Sequence, residues 1–153
     1  MLGSLLLAAS VATATERISV GLPAEVNLVG LSYGVHPELL FRPFQPDGAF
    51  TLRAAVGFVA GPELSNLPVS AGIRERFFPR KAVHPFVGLG MQLQNFLPHR
   101  HPPVQRWDQY WELGVGVRAS DRFDVVVQLS PEFGMHPSFG LGMACRAGVE
   151  LRF

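Results

Sequence analysis

Charge is scarce in this chain: Asp, Glu, Lys and Arg make up 16% of its 153 residues, against about a quarter in soluble domains. Lysine is almost missing, with Lys81 standing beside twelve arginines. Cys145 is the only cysteine, which excludes an intrachain disulfide framework and any multi-cysteine metal site. No run of 18 apolar residues occurs, so the sequence offers no membrane-spanning helix. The formal net charge of +1 leaves no electrostatic footprint for nucleic acid, and none is expected as a partner. No phosphate loop, nucleotide fingerprint or metal-ligand set is present, so neither metal nor cofactor is expected. What the chain has instead is 48% hydrophobic residues, a mean hydropathy of +0.22, and 16 Gly with 13 Pro scattered without a period. That many breakers leave little room for long helices.

The first residues form a short apolar segment, Leu2 to Val11, followed by Ala12-Thr13-Ala14. This is the pattern of a secretory signal and its small-residue cleavage site, although no Lys or Arg precedes the apolar segment. The expected division is an export signal over 1–14 and a single domain over 15–153.

From Arg17 onward the hydrophobic period is two, the signature of strands. In the last segment Leu141, Met143, Cys145, Ala147, Val149, Leu151 and Phe153 share one face. Gly142, Ala144, Arg146, Gly148, Glu150 and Arg152 share the other. Similar segments run over Arg17 to Leu22, Leu31 to Arg42, Phe50 to Ala60, Leu67 to Phe78, Val83 to Asn95, Leu113 to Ala119 and Phe123 to Phe133. Tight turns are expected at Gln45 to Gly48, Pro79 to Lys81 and Ser120 to Arg122. Longer links are expected over Pro23 to Gly30, Gly61 to Asn66, Leu97 to Val104 and Met135 to Gly140. The expected fold is all-β: an eight-stranded antiparallel up-and-down transmembrane β-barrel.

A soluble calyx also alternates, but turns its apolar face inward. Aromatics decide between the two. Phe41, Phe50, Phe77, Phe123 and Phe153 collect near the short turns and the C-terminus, and Tyr33, Phe58, Trp107, Trp111 and Phe133 near the longer links. Two girdles around an aliphatic band suit a bilayer. The polar face, rich in glycine between Arg and Glu, then lines a narrow interior.

The ending Gly148-Val149-Glu150-Leu151-Arg152-Phe153 resembles the C-terminal targeting signal of bacterial outer-membrane β-barrel proteins, and the chain is similar in scale to the transmembrane domain of outer-membrane protein A. The resemblance implies residence in the bacterial outer membrane, with the lipid bilayer and lipopolysaccharide as surroundings. It also implies that Leu151 and Phe153 are read by the barrel assembly machinery.

The inner face is expected to carry a lumen network of Arg53, Arg74, Arg118, Asp124, Glu112, Arg146 and Glu150. Arginine's planar fork suits enclosed bidentate carboxylate pairing, so these pairs are expected to plug the barrel rather than line an anion-selective pore. Parity places Arg118 opposite Asp124, with Ser120 to Arg122 as a three-residue turn and Ala119 facing Phe123. It also makes Ala147 lipid-facing and Gly148 an inner position where serine should be mild. His136-Pro137-Ser138 resembles the His-x-Ser core of the lipid A deacylases, in which Ser138 would be nucleophile, His136 base and Glu132 the orienting acid, although Phe139 stands where that family has Asn. His99 and His101 make half a metal site at most. Trp107, Tyr110 and Trp111 could form a sugar or lipid platform, and Cys145 reads as an inert lipid-facing residue. The expected role is structural or surface-binding and non-enzymatic, with a lipid-modifying enzyme or narrow anion pore as alternatives.

Overall fold

The computed structural model describes residues 17–29, 31–44, 49–136 and 139–153, without the side chain of His136. The segments expected to be an export signal (1–14) and a tight turn (Gln45 to Gly48), and Pro137 and Ser138, lie outside the described residues. No described residue is helical. The strand segments are β1 (Ile18–Asn27), β2 (Ser32–Val35), β3 (Glu38–Phe41), β4 (Phe50–Val56), β5 (Phe58–Ala60), β6 (Leu64–Asn66), β7 (Val69–Arg76), β8 (Val83–Pro98), β9 (Val104–Ser120), β10 (Phe123–His136) and β11 (Gly140–Arg152). Segments β2 with β3, β4 with β5, and β6 with β7 each make one strand of the wall, giving eight in all. Every pairing is antiparallel, and β11 pairs with β1 from Ser19↔Arg152 to Asn27↔Ala144, so the sheet closes on itself.

The three split strands have a chemical cause. His36-Pro37, Gly57 and Leu67-Pro68 interrupt them, and proline brings no N–H to a ladder. The interruptions lie side by side: Val56 N–H donates to Pro37 O at 3.1 Å and Gly57 N–H to Pro68 O at 2.8 Å. Glycine is needed at 57 because a Cβ there would strike the His36 ring and Pro68.

Alternation resolves into an apolar exterior and a polar interior. Val20, Leu22 and Val26 of β1, Leu113, Val115 and Val117 of β9, and Val125, Val127 and Leu129 of β10 all stand exposed. Their sequence neighbours Glu25, Glu112, Asp124 and Gln128 are buried. This inverts a soluble calyx and excludes that reading. Both sets of aromatics face outward, most of them near strand ends and Trp111 near the middle of β9, with Trp107 and Trp111 each 47% exposed.

Several boundaries differ from the sequence expectation. β1 does not stop at Leu22 but continues through Pro23 to Asn27. Pro23 is accommodated because its partner is Gly148, where a Cβ would run into the Pro23 Cα and the Leu22 carbonyl. Gly148→Ser is therefore not the mild change that parity suggests. β9 begins at Val104 instead of Leu113, since Gln105 and Gln109 on its outer face broke the apolar alternation. β6 occupies part of what reads as a link, and β8 extends to Pro98. At the β9–β10 turn Arg118 does pair with Asp124, but Phe123 pairs with Ser120 and the register shifts between Phe123 and Asp124. The turn is thus Asp121-Arg122 with an adjoining bulge, not three residues with Ala119 facing Phe123.

Candidate functional site

The lumen is built by inward residues of every strand, and small residues make way for large ones. Tyr110, 1% exposed, lies over Gly72 and Gly90, where added Cβ atoms would meet its hydroxyl. Phe86 lies over Gly114, and the His84 ring over Gly116. Bulky side chains from one strand thus rest on bare backbone of the next, which an eight-stranded interior demands.

Toward the termini, Asp124 is the hub. It accepts from Arg152, and His84 Nε2 lies 3.3 Å, Arg76 Nη1 3.7 Å and Arg118 Nε 4.0 Å from its oxygens. Glu150 lies above it, taking Arg42 Nη2 at 2.7 Å, Arg76, and Arg74 Nη1 at 3.8 Å. In the middle, Glu112 receives Arg74 Nε at 3.1 Å and Arg53 Nη1 at 3.3 Å. Glu38 receives Arg53 Nε at 2.5 Å and Arg74 Nη2 at 3.6 Å. Arg53 also donates to the Tyr110 hydroxyl at 3.0 Å, and Arg74 stacks 4.4 Å from the Phe86 ring centre. An unbroken chain of ion pairs therefore runs from Asp124 through Arg76, Glu150, Arg74 and Glu112 to Arg53 and Glu38.

Toward the loops a second group of ion pairs forms. It is joined to the first through Gln128, which accepts from Arg74 Nη2 at 3.1 Å, and Ser130 Oγ, which accepts from Gln128 Nε2 at 3.4 Å and Arg146 Nη1 at 3.3 Å. Arg146 Nε binds Glu25 Oε2 at 2.6 Å and its Nη2 lies 3.4 Å from Glu132 Oε1. Gln94 donates to Glu132 Oε2 at 3.2 Å and accepts from Asn66. Arg106 clasps Asp108 with two bonds of 2.6 and 2.7 Å and stacks on Phe96. Above this group opens a cavity of about 570 Å³. The lumen is electrically polarised: arginines outnumber carboxylates toward the termini, and carboxylates outnumber arginines toward the loops.

The structure places Arg53, Arg74, Glu112, Asp124, Arg146 and Glu150 in the buried interior, and Arg118 partly exposed at the termini rim. Arg118 gives one of its bonds to the Pro79 carbonyl at 2.8 Å. Glu25, Arg106 and Asp108 also join the network; Pro23 makes the segment of Glu25 read as a link, and the polar outer face of β9 keeps 105–112 out of any expected strand. His36 and His84 are legible through period-two parity within the expected segments, and Tyr110 only once β9 is extended back from Leu113. Glu132 is buried and engaged with Arg146 and Gln94, while Ser138 and the His136 side chain are outside the described residues. Tyr110 points inward and Trp107 and Trp111 outward, so the three form no common platform. His99 and His101 are exposed in the β8–β9 link, and among the described residues no group of three or more His, Cys, Asp or Glu is placed to hold a metal. Leu151 and Phe153 are exposed on the outer wall beside β1, Phe153 N–H donating to Ile18 O.

No family model matches the sequence, and no curated protein matches it. Solved structures do. The N-terminal β-barrel domain of Pseudomonas aeruginosa OprF superimposes with a TM-score of 0.74 at 14% identity, over 89% of this chain and 96% of that one. Neisserial surface protein A superimposes with a TM-score of 0.62 at 11% identity, over 89% and 94%. Pseudomonas aeruginosa outer-membrane protein OprG gives 0.62 and 11%, over the same shares. The class is thereby fixed: the fold is that of the small, eight-stranded outer-membrane β-barrels, and its apolar exterior is the surface that class turns to lipid.

Proposed function

We propose that the chain is a non-enzymatic, structural or surface-interacting protein of the bacterial outer membrane, its lumen closed to ions by arginine–carboxylate pairs. One observation carries this reading: Arg74, wholly buried, bridges Glu38, Glu112 and Glu150 at the centre of the barrel. Buried ions left without partners would each cost several kcal/mol, so the pairs are held where they stand. Glu132 is committed to Arg146 and Gln94, which supports a structural role for it over that of an orienting acid in deacylation. On this reading the loop-side aromatics meet lipopolysaccharide, and Leu151 and Phe153 serve as the signal for the assembly machinery.

The test is conductance in planar bilayers. The purified barrel is expected to show no stable single-channel steps. Reproducible anion-selective steps, abolished by Arg53→Ala or Arg74→Ala, would make it a narrow pore and overturn the plug.

A further inference from the structure

The two rims of the barrel differ in charge. Among the described residues, the fully exposed ions of the loop rim are Glu63 and Arg100, one of each sign. At the termini rim they are Arg80, Lys81 and Arg122, opposed by Asp121, with Glu75 exposed on the outer wall of β7. Arg17, Arg118 and Arg152 add three partly exposed guanidinium groups, and the buried Asp124 meets Arg118 and Arg152. Six cations thus stand against three side-chain carboxylates. The interior behind them offers no negative excess, since Arg42 and Arg76 share Glu150.

The three fully exposed cations sit on held backbone. Pro79-Arg80-Lys81 lies between β7 and β8, and Asp121-Arg122 between β9 and β10. Because β8 and β9 pair, these turns are neighbours on the rim, with Arg118 of β9 between them. Arg118 N–H donates to Ala82 O at 2.7 Å and its Nη2 to Pro79 O at 2.8 Å. Lys81 N–H donates to Phe78 O, and Arg152 N–H to Arg122 O, each at 2.9 Å.

Their height on the wall is that of lipid headgroups. Lys81 Nζ lies 5.5 Å from the centre of the Phe78 ring, and Phe77, Phe78 and Phe153 are exposed at the same end. Cations directly beyond an aromatic girdle meet the charged layer of a bilayer, where each Lys or Arg favours acidic lipid.

We propose that Arg80, Lys81 and Arg122, with Arg118 between them, form a binding site for the headgroup phosphate of an acidic phospholipid. The phosphate answers the uncompensated positive charge of the two turns. The acyl chains lie on the wall beneath, against Val83 and Val117, which are exposed and pair across β8 and β9. A zwitterionic lipid brings its own ammonium and gains less from the rim. A free phosphate gains nothing from the apolar wall. The inference is independent of whether the lumen conducts, since the site is on the outer rim.

Native mass spectrometry of the purified barrel in non-ionic detergent tests it, with dioleoylphosphatidylglycerol and, separately, dioleoylphosphatidylcholine as titrants. Each cation near an acidic headgroup is worth about fivefold in affinity, so saturable binding with a tenfold or greater preference for phosphatidylglycerol is expected. Replacing Arg80, Lys81 and Arg122 together by Gln should abolish the preference. Arg100→Gln, on the opposite rim, should leave it intact. Asp121→Asn removes the opposing charge and should tighten binding, a gain that misfolding cannot produce. Equal affinity for the two lipids, a preference kept by the triple variant or lost with Arg100→Gln, or no gain with Asp121→Asn would overturn the site. So would displacement of the lipid by inorganic phosphate, which would mark a simple anion site, or by polyglutamate, which would mark a surface for acidic polypeptides.

Discussion

Arg74 reaches across the barrel from β7 to Glu112 on β9, Nε to Oε2 at 3.1 Å, with neither side chain open to solvent. The pair joins walls that are not neighbours, since β8 stands between them. Removing one partner leaves the other with only longer ion pairs in an enclosed interior: Arg74 with Glu38 and Glu150 at 3.6 and 3.8 Å, or Glu112 with Arg53 at 3.3 Å. That should cost up to about 3–5 kcal/mol. Arg74→Ala and Glu112→Ala should each destabilise to that extent, and the double variant by clearly less than the two together. Urea unfolding in lipid bilayers measures the cycle, and a coupling energy of zero would reject the pairing.

Orientation of the wall is tested at β11. Ala147 faces outward between Ala24 and Val127, so Ala147→Arg should cost about 2–4 kcal/mol near the bilayer midplane. The inward control is Gly142→Ala, where a Cβ would lie 3.4 Å from Glu132, an ordinary contact. Equal losses at the two positions would contradict the assignment of faces.

His84 rests its ring on Gly116, and the three nearest atoms that a Cβ at 116 would meet all belong to that ring. Gly116→Ala should push His84 away from Asp124 and destabilise the barrel. His84→Ala in the same chain should recover part of the loss. Additive losses would show that the strain at Gly116 comes from backbone.

The tryptophans report depth. Trp107 and Trp111 lie on one outer face of β9, four residues apart, or about 13 Å along the strand. At a tilt of about 40° that places Trp111 some 10 Å nearer the bilayer centre. In variants retaining one tryptophan each, lipids brominated near the headgroup should quench Trp107 more, and lipids brominated deep in the chain Trp111 more. The reverse order would invert the barrel's position.

Period two, the outward aliphatics and the Arg118–Asp124 register were all readable from residue order, because parity along a strand is rigid. What was not readable came from outer-face polar residues and from proline. Gln105 and Gln109 interrupted the apolar pattern of β9 and so hid Arg106 and Asp108, the inward residues between them. Pro23 read as the end of a strand, yet Gly148 across the ladder removes the obstacle, and no local signal connects positions that far apart. The same blindness applies to partners within the lumen. Asp124 sits opposite Arg118, but it accepts its hydrogen bond from Arg152, while Arg118 donates to the Pro79 carbonyl.

The β1–β11 seam also governs how the molecule can come into being. Arg146 is 121 residues from Glu25, and Glu150 is 108 residues from Arg42. Arg146 and Glu150 belong to the last strand of the wall, Glu25 to the first, and Arg42 follows β3 in the second, so none of these bonds exists until the final segment arrives. A sheet inserted without it would carry naked charges on a lipid-exposed edge, a state the hydrocarbon penalises heavily. Insertion and closure are therefore expected to be one event. The C-terminal strand would then work as a latch, and its deletion or delay should leave the chain waiting outside the membrane instead of halfway into it.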